Sequence, residues 1–132
     1  GLSTNSNQTK LTQAVMEGVA FALRDCMEVL KKAGPCPDQL LAIGGGSHSL
    51  FWLETIATTL NKAIACPIDG EYGAAMGAAR LAILGKTSEP IKNILSQPTI
   101  AETIEPRRDL IDHYCEAFTR YKNAPFHLKN IQ

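Results

Sequence analysis

The sequence has no net charge and no long apolar stretch. Its 13 lysines and arginines balance 13 aspartates and glutamates over 132 residues. A neutral chain has no electrostatic reason to bind nucleic acid or an anionic membrane surface. The sequence contains neither an uncharged apolar run long enough to cross a bilayer nor a charged-then-apolar leader. We therefore expect no membrane segment, no signal peptide and a cytoplasmic location.

Metal-binding and disulfide patterns are also missing. No two cysteines have C-x-x-C spacing, and the three histidines do not cluster along the sequence. The cysteines are Cys26, Cys36, Cys66 and Cys115, and the histidines are His48, His113 and His127. This distribution favours reduced thiols in a cytosolic protein over a disulfide framework, and it indicates no metal site.

Periodic apolar segments are present, and hydrophobic residues make up 45% of the chain. The first segment predicts a long amphipathic helix over residues 11–32, with Thr9 as its N-cap and with Gly34 and Pro35 ending it. The charged face, which includes Arg24, is expected in solvent. The apolar stripe expected in the core consists of Leu11, Val15, Val19, Ala22, Cys26, Val29 and Leu30.

Two short apolar runs, residues 40–43 and 62–66, predict buried strands. Between them, residues 50–60 predict a helix that begins at a cap, Ser49 or Ser47, and ends at Asn61 in the left-handed conformation. The alanine-rich residues 71–84 predict a closely packed helix that Gly85 follows.

The C-terminal third predicts a connection and then one more helix. Residues 86–105 are expected to connect, with a helical turn near residues 91–95. Pro106 suits the first turn of the last helix, which is expected to end at Asn123 and Pro125. The stripe of this helix contains Leu110, Tyr114, Phe118 or Ala117, and Tyr121.

This order of elements predicts an α/β fold, with an incomplete sheet flanked by helices. Two strands are too few for a stable sheet. The chain also begins at Gly1 and not at methionine. We therefore expect a fragment in which residues 1–132 form a single, incomplete domain.

The most informative segment is the glycine triplet, residues 44–46, between the first predicted strand and a helix. Glycines let a backbone approach a ligand closely and adopt positive φ. The amides at the start of the following helix favour an anion or a polar ligand. A tight turn without any ligand is the alternative, because such triplets also recur by chance.

Several sharper motifs fail on spacing. A dinucleotide fingerprint needs glycine at Ser49, and a P-loop ending at Gly85 needs glycine at Arg80. Residues 45–49 resemble a hydrolase nucleophile elbow with the last glycine replaced by serine. The triad partners would then be Asp109 and His113, which lie four residues apart on one predicted helix. A hydrolase therefore remains a weak alternative.

Four segments in order resemble parts of the FGGY family of carbohydrate kinases. Residues 11–19, LTQAVMEGV, resemble its second signature, although Lys10 departs from it. Residues 43–52, IGGGSHSLFW, resemble its adenosine loop, and Ser49 and Trp52 are similar to the xylulokinase and gluconokinase branches. Residues 71–82 resemble the helix that closes the nucleotide site. The segment from Pro106 to Tyr121 is similar to the C-terminal helix of the xylulokinase branch.

This resemblance implies a fold and a reaction. The fold would be an actin-like, ribonuclease H-like ATPase domain, and residues 1–132 would form the C-terminal portion of its nucleotide-binding domain. The enzyme would transfer the γ-phosphoryl group of MgATP to a sugar hydroxyl, with D-xylulose as the expected acceptor. The Mg²⁺, the sugar pocket and the aspartate base would be held by an upstream kinase domain, so the chain alone is expected to be inactive. A homo-oligomer is compatible with the resemblance.

The resemblance also implies which residues bind the nucleotide. Gly45 and Gly46 would approach the base and the ribose, and Ser49 or Leu50 would border the adenine. The whole set of expected cofactor-binding residues is Gly44, Gly45, Gly46, Ser47, Ser49 and Leu50. No catalytic residue and no metal ligand is expected in this chain.

Two other functions stay open at this stage. Within the family, a gluconokinase or another pentulose kinase would have the same nucleotide loop. Outside enzymes, the chain could serve as a non-catalytic module that binds a nucleotide or a partner. Nucleotide binding without turnover by this chain would favour a kinase portion or such a module over a hydrolase.

Overall fold

The structure, a computed structural model, describes residues 3–34 and 36–129. Within these residues it contains five α-helices and three β-strands, joined in part by short 3-10 turns. The helices are α1 (Gln8–Ala33), α2 (Leu50–Leu60), α3 (Gly73–Lys86), α4 (Ile91–Ile94) and α5 (Ile111–Lys129). The strands are β1 (Leu40–Leu41), β2 (Ile64–Pro67) and β3 (Ile100–Ile104). No helix in the described part of the chain is long and apolar enough to cross a membrane.

The three strands form one mixed sheet in the order β1-β2-β3. β1 runs parallel to β2, with Leu40 opposite Ile64, and β3 runs antiparallel to β2, with Ile104 opposite Ile64. This confirms the α/β prediction. The predicted count of two strands is wrong, because part of the segment 86–105 folds as β3 and not as a connection.

One core cluster lies between α2 and the sheet. It is formed by Leu53 and Ala57 of α2 together with Ile64 and Ile104 of the two paired strands. The cluster joins the middle of the chain to a residue 40 positions later, since Ile64 and Ile104 are register partners. Burial of these apolar side chains holds α2 across the sheet.

A second cluster holds α1 against α5. Phe21 of α1 packs against Tyr114 and Phe118 of α5, and the three rings are all buried. The ring centroids of Phe21 and Phe118 lie 6.1 Å apart, within the range of favourable aromatic pairs. Tyr114 and Phe118 were both predicted on the buried stripe of the last helix, and that prediction is confirmed.

The predicted faces of α1 are wrong. Val15 and Val19 from the expected core stripe are 68% and 41% exposed, whereas the buried residues of α1 are Ala20, Phe21 and Met27. The helix carries apolar residues on two faces, and periodicity alone does not show which face meets the rest of the chain. The helix also begins earlier than predicted, because the side chain of Asn7 accepts a hydrogen bond from the amide of Lys10.

The helix ends were predicted with mixed success. Ser49 caps α2 by accepting a hydrogen bond from the amide of Trp52, and Asn61 ends this helix in the left-handed conformation, both as predicted. Helix α5 does not end at Asn123 and Pro125 but continues to Lys129. Proline has a helical φ and costs one hydrogen bond, so it is able to remain within a helix.

Helix α3 also departs from its prediction. We expected it to be closely packed, but none of its residues is buried among the described residues. Its first residue does make a close contact, since a Cβ at Gly73 would lie 3.2 Å from Cδ1 of Ile43. The helix runs one residue past Gly85, to Lys86, and Thr87 caps it.

Candidate functional site

The loop that leaves β1 holds the glycine triplet in a fixed conformation. Gly44 has φ of 84°, a left-handed value that favours glycine. Its amide donates a hydrogen bond of 3.0 Å to the carbonyl oxygen of Gly70. This bond joins the loop after β1 to the loop after β2. The strands β1 and β2 form the parallel pair of the sheet.

Residues Gly45–His48 form a 3-10 turn that leads into α2. The amide and the hydroxyl of Ser47 both donate to the carbonyl oxygen of Gly44, at 3.0 and 2.7 Å. Among the described hydrogen bonds, none uses the amide of Gly45 or Gly46. The turn therefore offers two backbone donors to a ligand, while the Ser47 hydroxyl is already engaged by the backbone.

Two glycines of this turn serve different purposes. A Cβ at Gly46 would lie 2.6 Å from Cζ3 of Trp52, so the indole ring occupies the space that a side chain would need. A Cβ at Gly45 would meet no atom within 4 Å. Gly46 is thus required by internal packing, whereas Gly45 faces open space where another molecule could approach the backbone.

A second turn, Gly70–Tyr72, lies beside this loop and leads into α3. Nε2 of His48 and Oε2 of Glu71 are 2.9 Å apart. The hydrogen bond from His48 holds the pKa of the Glu71 carboxyl below its ordinary value. The two turns are therefore linked by one side-chain contact and by the backbone bond from Gly44 to Gly70.

Next to the two turns is a cavity of about 460 Å³. This volume lies in the range of small-molecule sites. Ile43 and Gly70 border both the cavity and the turns. The cavity lining includes Ile43, Gly70, Gly73, Met76, Gly77 and Arg80. It combines apolar side chains with two of opposite charge, Asp69 and Arg80.

A larger groove of about 540 Å³ opens on the other side of the loop, between α1, β1 and α2. Its lining is mostly apolar and includes Val19, Leu23, Leu41 and Trp52. The indole Nε1 of Trp52 is buried and has no hydrogen-bond partner within the described part of the chain. This groove coincides with the open edge of β1.

The structure brings the six expected nucleotide-binding residues together in one loop. Gly44, Gly45, Gly46 and Ser47 form the turn, Ser49 caps α2, and Leu50 is the first residue of that helix with its side chain 55% exposed. The sequence analysis included Glu71 in the segment that resembles the helix closing the nucleotide site, but it did not predict the contact between Glu71 and His48. The signal for a tight turn at Glu71 is its position between Gly70 and Gly73.

The residues of the possible hydrolase triad, Ser47, Asp109 and His113, are not joined by hydrogen bonds as a catalytic triad requires. Asp109 accepts two hydrogen bonds from the guanidinium of Arg107, which holds the pKa of its carboxyl below the ordinary value. No described hydrogen bond joins Ser47 or Asp109 to His113. Within residues 3–34 and 36–129, no three residues of the histidine, cysteine or carboxylate type form a group that could hold a metal ion.

Known proteins match both the sequence and the fold. The profile of the C-terminal domain of the FGGY family of carbohydrate kinases matches residues 1–85. The xylulose kinase of Bacillus subtilis is 29% identical over 133 residues, covering 99% of this chain and 26% of that protein. The xylulose kinase of Escherichia coli is 36% identical over 89 residues, covering 67% of this chain and 18% of that protein.

Solved structures agree. A xylulose kinase from Brucella ovis is 45% identical and superimposes with a TM-score of 0.86, covering all of this chain and 28% of that one. A xylulose kinase from Rhodospirillum rubrum is 25% identical, with a TM-score of 0.76 and the same shares covered. The fold is therefore part of an actin-like ATPase fold.

The chain spans about a quarter of the length of the relatives that it matches along nearly all its residues. The profile match covers α1, both linked turns and all of α3 except its last residue. The agreement in sequence, in fold and in these elements leads to one conclusion: the chain belongs to the FGGY family of carbohydrate kinases, within the C-terminal domain of that family.

Proposed function

We propose that this chain forms one wall of the nucleotide site of an ATP-dependent sugar kinase. Residues 1–132 would be the C-terminal portion of the nucleotide-binding domain. The complete enzyme would transfer the γ-phosphoryl group of MgATP to D-xylulose and release D-xylulose 5-phosphate. The family match and the xylulose kinases of Bacillus subtilis and Brucella ovis support this assignment.

The observation that carries the proposal is the backbone at Gly45. This residue faces open space, and its amide and that of Gly46 have no partner among the described hydrogen bonds. Glycine without a neighbouring side chain lets a planar base or a ribose lie directly against the chain. Gly44, Gly45, Gly46, Ser47, Ser49 and Leu50 are the residues that we assign to this contact.

The role of this wall is positioning. In phosphoryl transfer the protein mainly orients the reactants and stabilises charge. ATP supplies the transferred phosphoryl group when it is bound. Within residues 3–34 and 36–129, no group of three or more histidine, cysteine or carboxylate side chains could hold a metal ion. We assign the Mg²⁺, the general base and the sugar pocket to an upstream kinase domain, which would be the partner of this wall.

A second sugar has support from one comparison. A gluconate kinase from Lactobacillus acidophilus is 27% identical and superimposes with a TM-score of 0.72, covering 97% of this chain and 26% of that one. The same nucleotide wall would therefore serve a gluconate kinase. Comparison of kcat/KM for D-xylulose and gluconate with the full-length enzyme decides between the two acceptors.

The nucleotide assignment is tested in the full-length kinase that carries this chain. Gly45→Val should raise the Kd for ATP by at least about tenfold, which corresponds to roughly 1.4 kcal/mol, and should leave the KM for the sugar unchanged. Gly85→Val is the matched control, because a Cβ at Gly85 also meets no atom within 4 Å. Equal ATP affinity in wild type and Gly45→Val would remove the loop from the site.

A further inference from the structure

A side-chain hydrogen bond joins the two turns of the proposed nucleotide site. His48 closes the turn Gly45–His48, and Glu71 lies in the turn Gly70–Tyr72 before α3. Their Nε2 and Oε2 atoms are 2.9 Å apart. The residues are 23 positions apart in the sequence, so only the fold brings them together.

This contact is not part of the hydrophobic core. The side chain of His48 is 66% exposed and that of Glu71 is 41% exposed. Such exposed pairs contribute little to global stability. Other links between the two loops include the backbone bond from Gly44 to Gly70 and the packing of Ile43 beside Gly73. Both of these links involve Ile43 or Gly44, at the start of the glycine loop, whereas His48 is the last residue of its 3-10 turn.

We propose that His48 is a positioning residue for the nucleotide. Its hydrogen bond to Glu71 fixes the turn Gly45–His48 against the start of α3, so that the free amides of Gly45 and Gly46 keep one orientation. This inference rests on the proposed function, because it concerns the same nucleotide wall. His48 acts through Glu71 and makes no contact with the reacting atoms.

The expected effect follows from the population of the ordered turn. Without the contact, the turn spends part of its time in other conformations, and the apparent Kd for the nucleotide rises by the inverse of the ordered fraction. A hydrogen bond of this kind contributes a net factor of about 2 to 10. The loss should therefore appear in the Kd and the KM for ATP, while kcat at saturating ATP and the KM for the sugar stay unchanged.

The experiment compares five variants of the full-length kinase. His48→Ala, Glu71→Ala and the double variant form a double-mutant cycle. His48→Gln keeps a side-chain donor and tests rescue. Arg120→Ala is the control, because Arg120 forms an exposed ion pair with Glu116 on α5. The readouts are ATP binding by calorimetry, steady-state kinetics, and hydrogen exchange of the peptide that contains residues 44–50.

Support would consist of a rise of about 2- to 10-fold in the Kd for ATP in both single variants, no further rise in the double variant, and recovery in His48→Gln. Residues 44–50 would exchange faster in the single variants and regain protection when ATP is added. An effect in His48→Ala alone would overturn the proposal, since His48 would then contact the nucleotide itself. Unchanged affinity in all variants would also overturn it.

These outcomes are separate from those of the proposed function. If Gly45→Val weakens ATP binding while the His48 and Glu71 variants do not, the nucleotide wall is retained and only the positioning role fails. If Gly45→Val leaves ATP affinity unchanged, the nucleotide wall itself fails, whatever the His48 variants show.

Discussion

The guanidinium of Arg24 lies over the ring of Phe118, with its Cζ 4.4 Å from the ring centroid. Its Nη1 also donates to the carbonyl oxygen of Thr59 at 3.2 Å, and both Nη atoms lie within 3.6 Å of Sγ of Cys115. One side chain of α1 thus contacts α2 and α5 together. The sequence placed Arg24 on the solvated face, so this position reverses the expectation for the helix.

We predict that Arg24→Ala lowers the free energy of unfolding by about 2 kcal/mol, since it removes a cation–π contact and a charge-assisted hydrogen bond. Lys31→Ala, on the same helix with an exposed side chain, is the control and should change stability by less than about 0.5 kcal/mol. Chemical denaturation measures both. Equal effects of the two substitutions would contradict a structural role for Arg24.

The second prediction concerns the packing of Gly46 on Trp52. Gly46→Ala should destabilise the chain by about 1–3 kcal/mol, because its Cβ would lie 2.6 Å from Cζ3 of the indole and force the ring to shift. Trp52 is the single tryptophan of the chain, so its fluorescence reports the displacement directly. Gly45→Ala is the matched control and should leave both stability and emission nearly unchanged. An unshifted emission spectrum in Gly46→Ala would show that the ring does not occupy this space.

Thr58 supplies the third prediction. This residue is 2% exposed. Its hydroxyl accepts a hydrogen bond of 3.0 Å from the amide of Arg107 and donates one of 2.6 Å to the backbone carbonyl oxygen of Glu54. Thr58→Val keeps the shape but leaves the amide of Arg107 without its acceptor, and should cost about 1–3 kcal/mol in thermal or chemical unfolding.

Two variants make this test specific. Thr119→Val removes an exposed hydroxyl that donates to the carbonyl oxygen of Cys115, four residues earlier, as Thr58 does to Glu54. Thr119→Val should therefore lower the free energy of unfolding by less than Thr58→Val. Thr58→Ser restores the hydroxyl and should recover part of the stability. If Thr58→Val and Thr119→Val unfold alike, the bond to Arg107 does not contribute.

Local signals explain which parts of the fold could be predicted. Ser49 and Asn61 act through their own backbone neighbours, so the bounds of α2 follow from sequence alone. Strand β3 depends on pairing with β2, about 40 residues earlier, and that non-local contact decided its structure. The β-branched residues between Pro98 and Pro106 were a signal that could have found it.

The candidate site shows the same division. The glycine triplet at the end of a predicted strand was visible in the sequence, and the structure places it in a turn that leads into α2. The role of the six assigned residues in nucleotide binding stays a prediction. The contact between His48 and Glu71 was not visible, because it joins two turns that only the parallel pairing of β1 and β2 brings side by side. The prediction of the buried face of α1 was wrong for a related reason. Both faces of the helix carry apolar residues, and the contact of Phe21 with α5 determines which one is buried.

The last prediction concerns the open edge of β1. This strand pairs with β2 alone within the described part of the chain, and the side chain of Leu41 beside the open groove is 45% exposed. Strand β3, from the segment 86–105, pairs with the other side of β2 and so does not pair with this edge. An apolar strand with unpaired amides and carbonyls is a template for association. We therefore expect the 132-residue chain in isolation to associate through this edge, whereas a dimer of the full-length kinase would not use it.

Light scattering should show that Leu41→Lys is less associated than the wild-type chain. Leu81→Lys, a control at a 70% exposed position of α3, should associate as much as the wild-type chain does. A wild-type chain that stays monomeric at high concentration would show that the edge is protected without a partner.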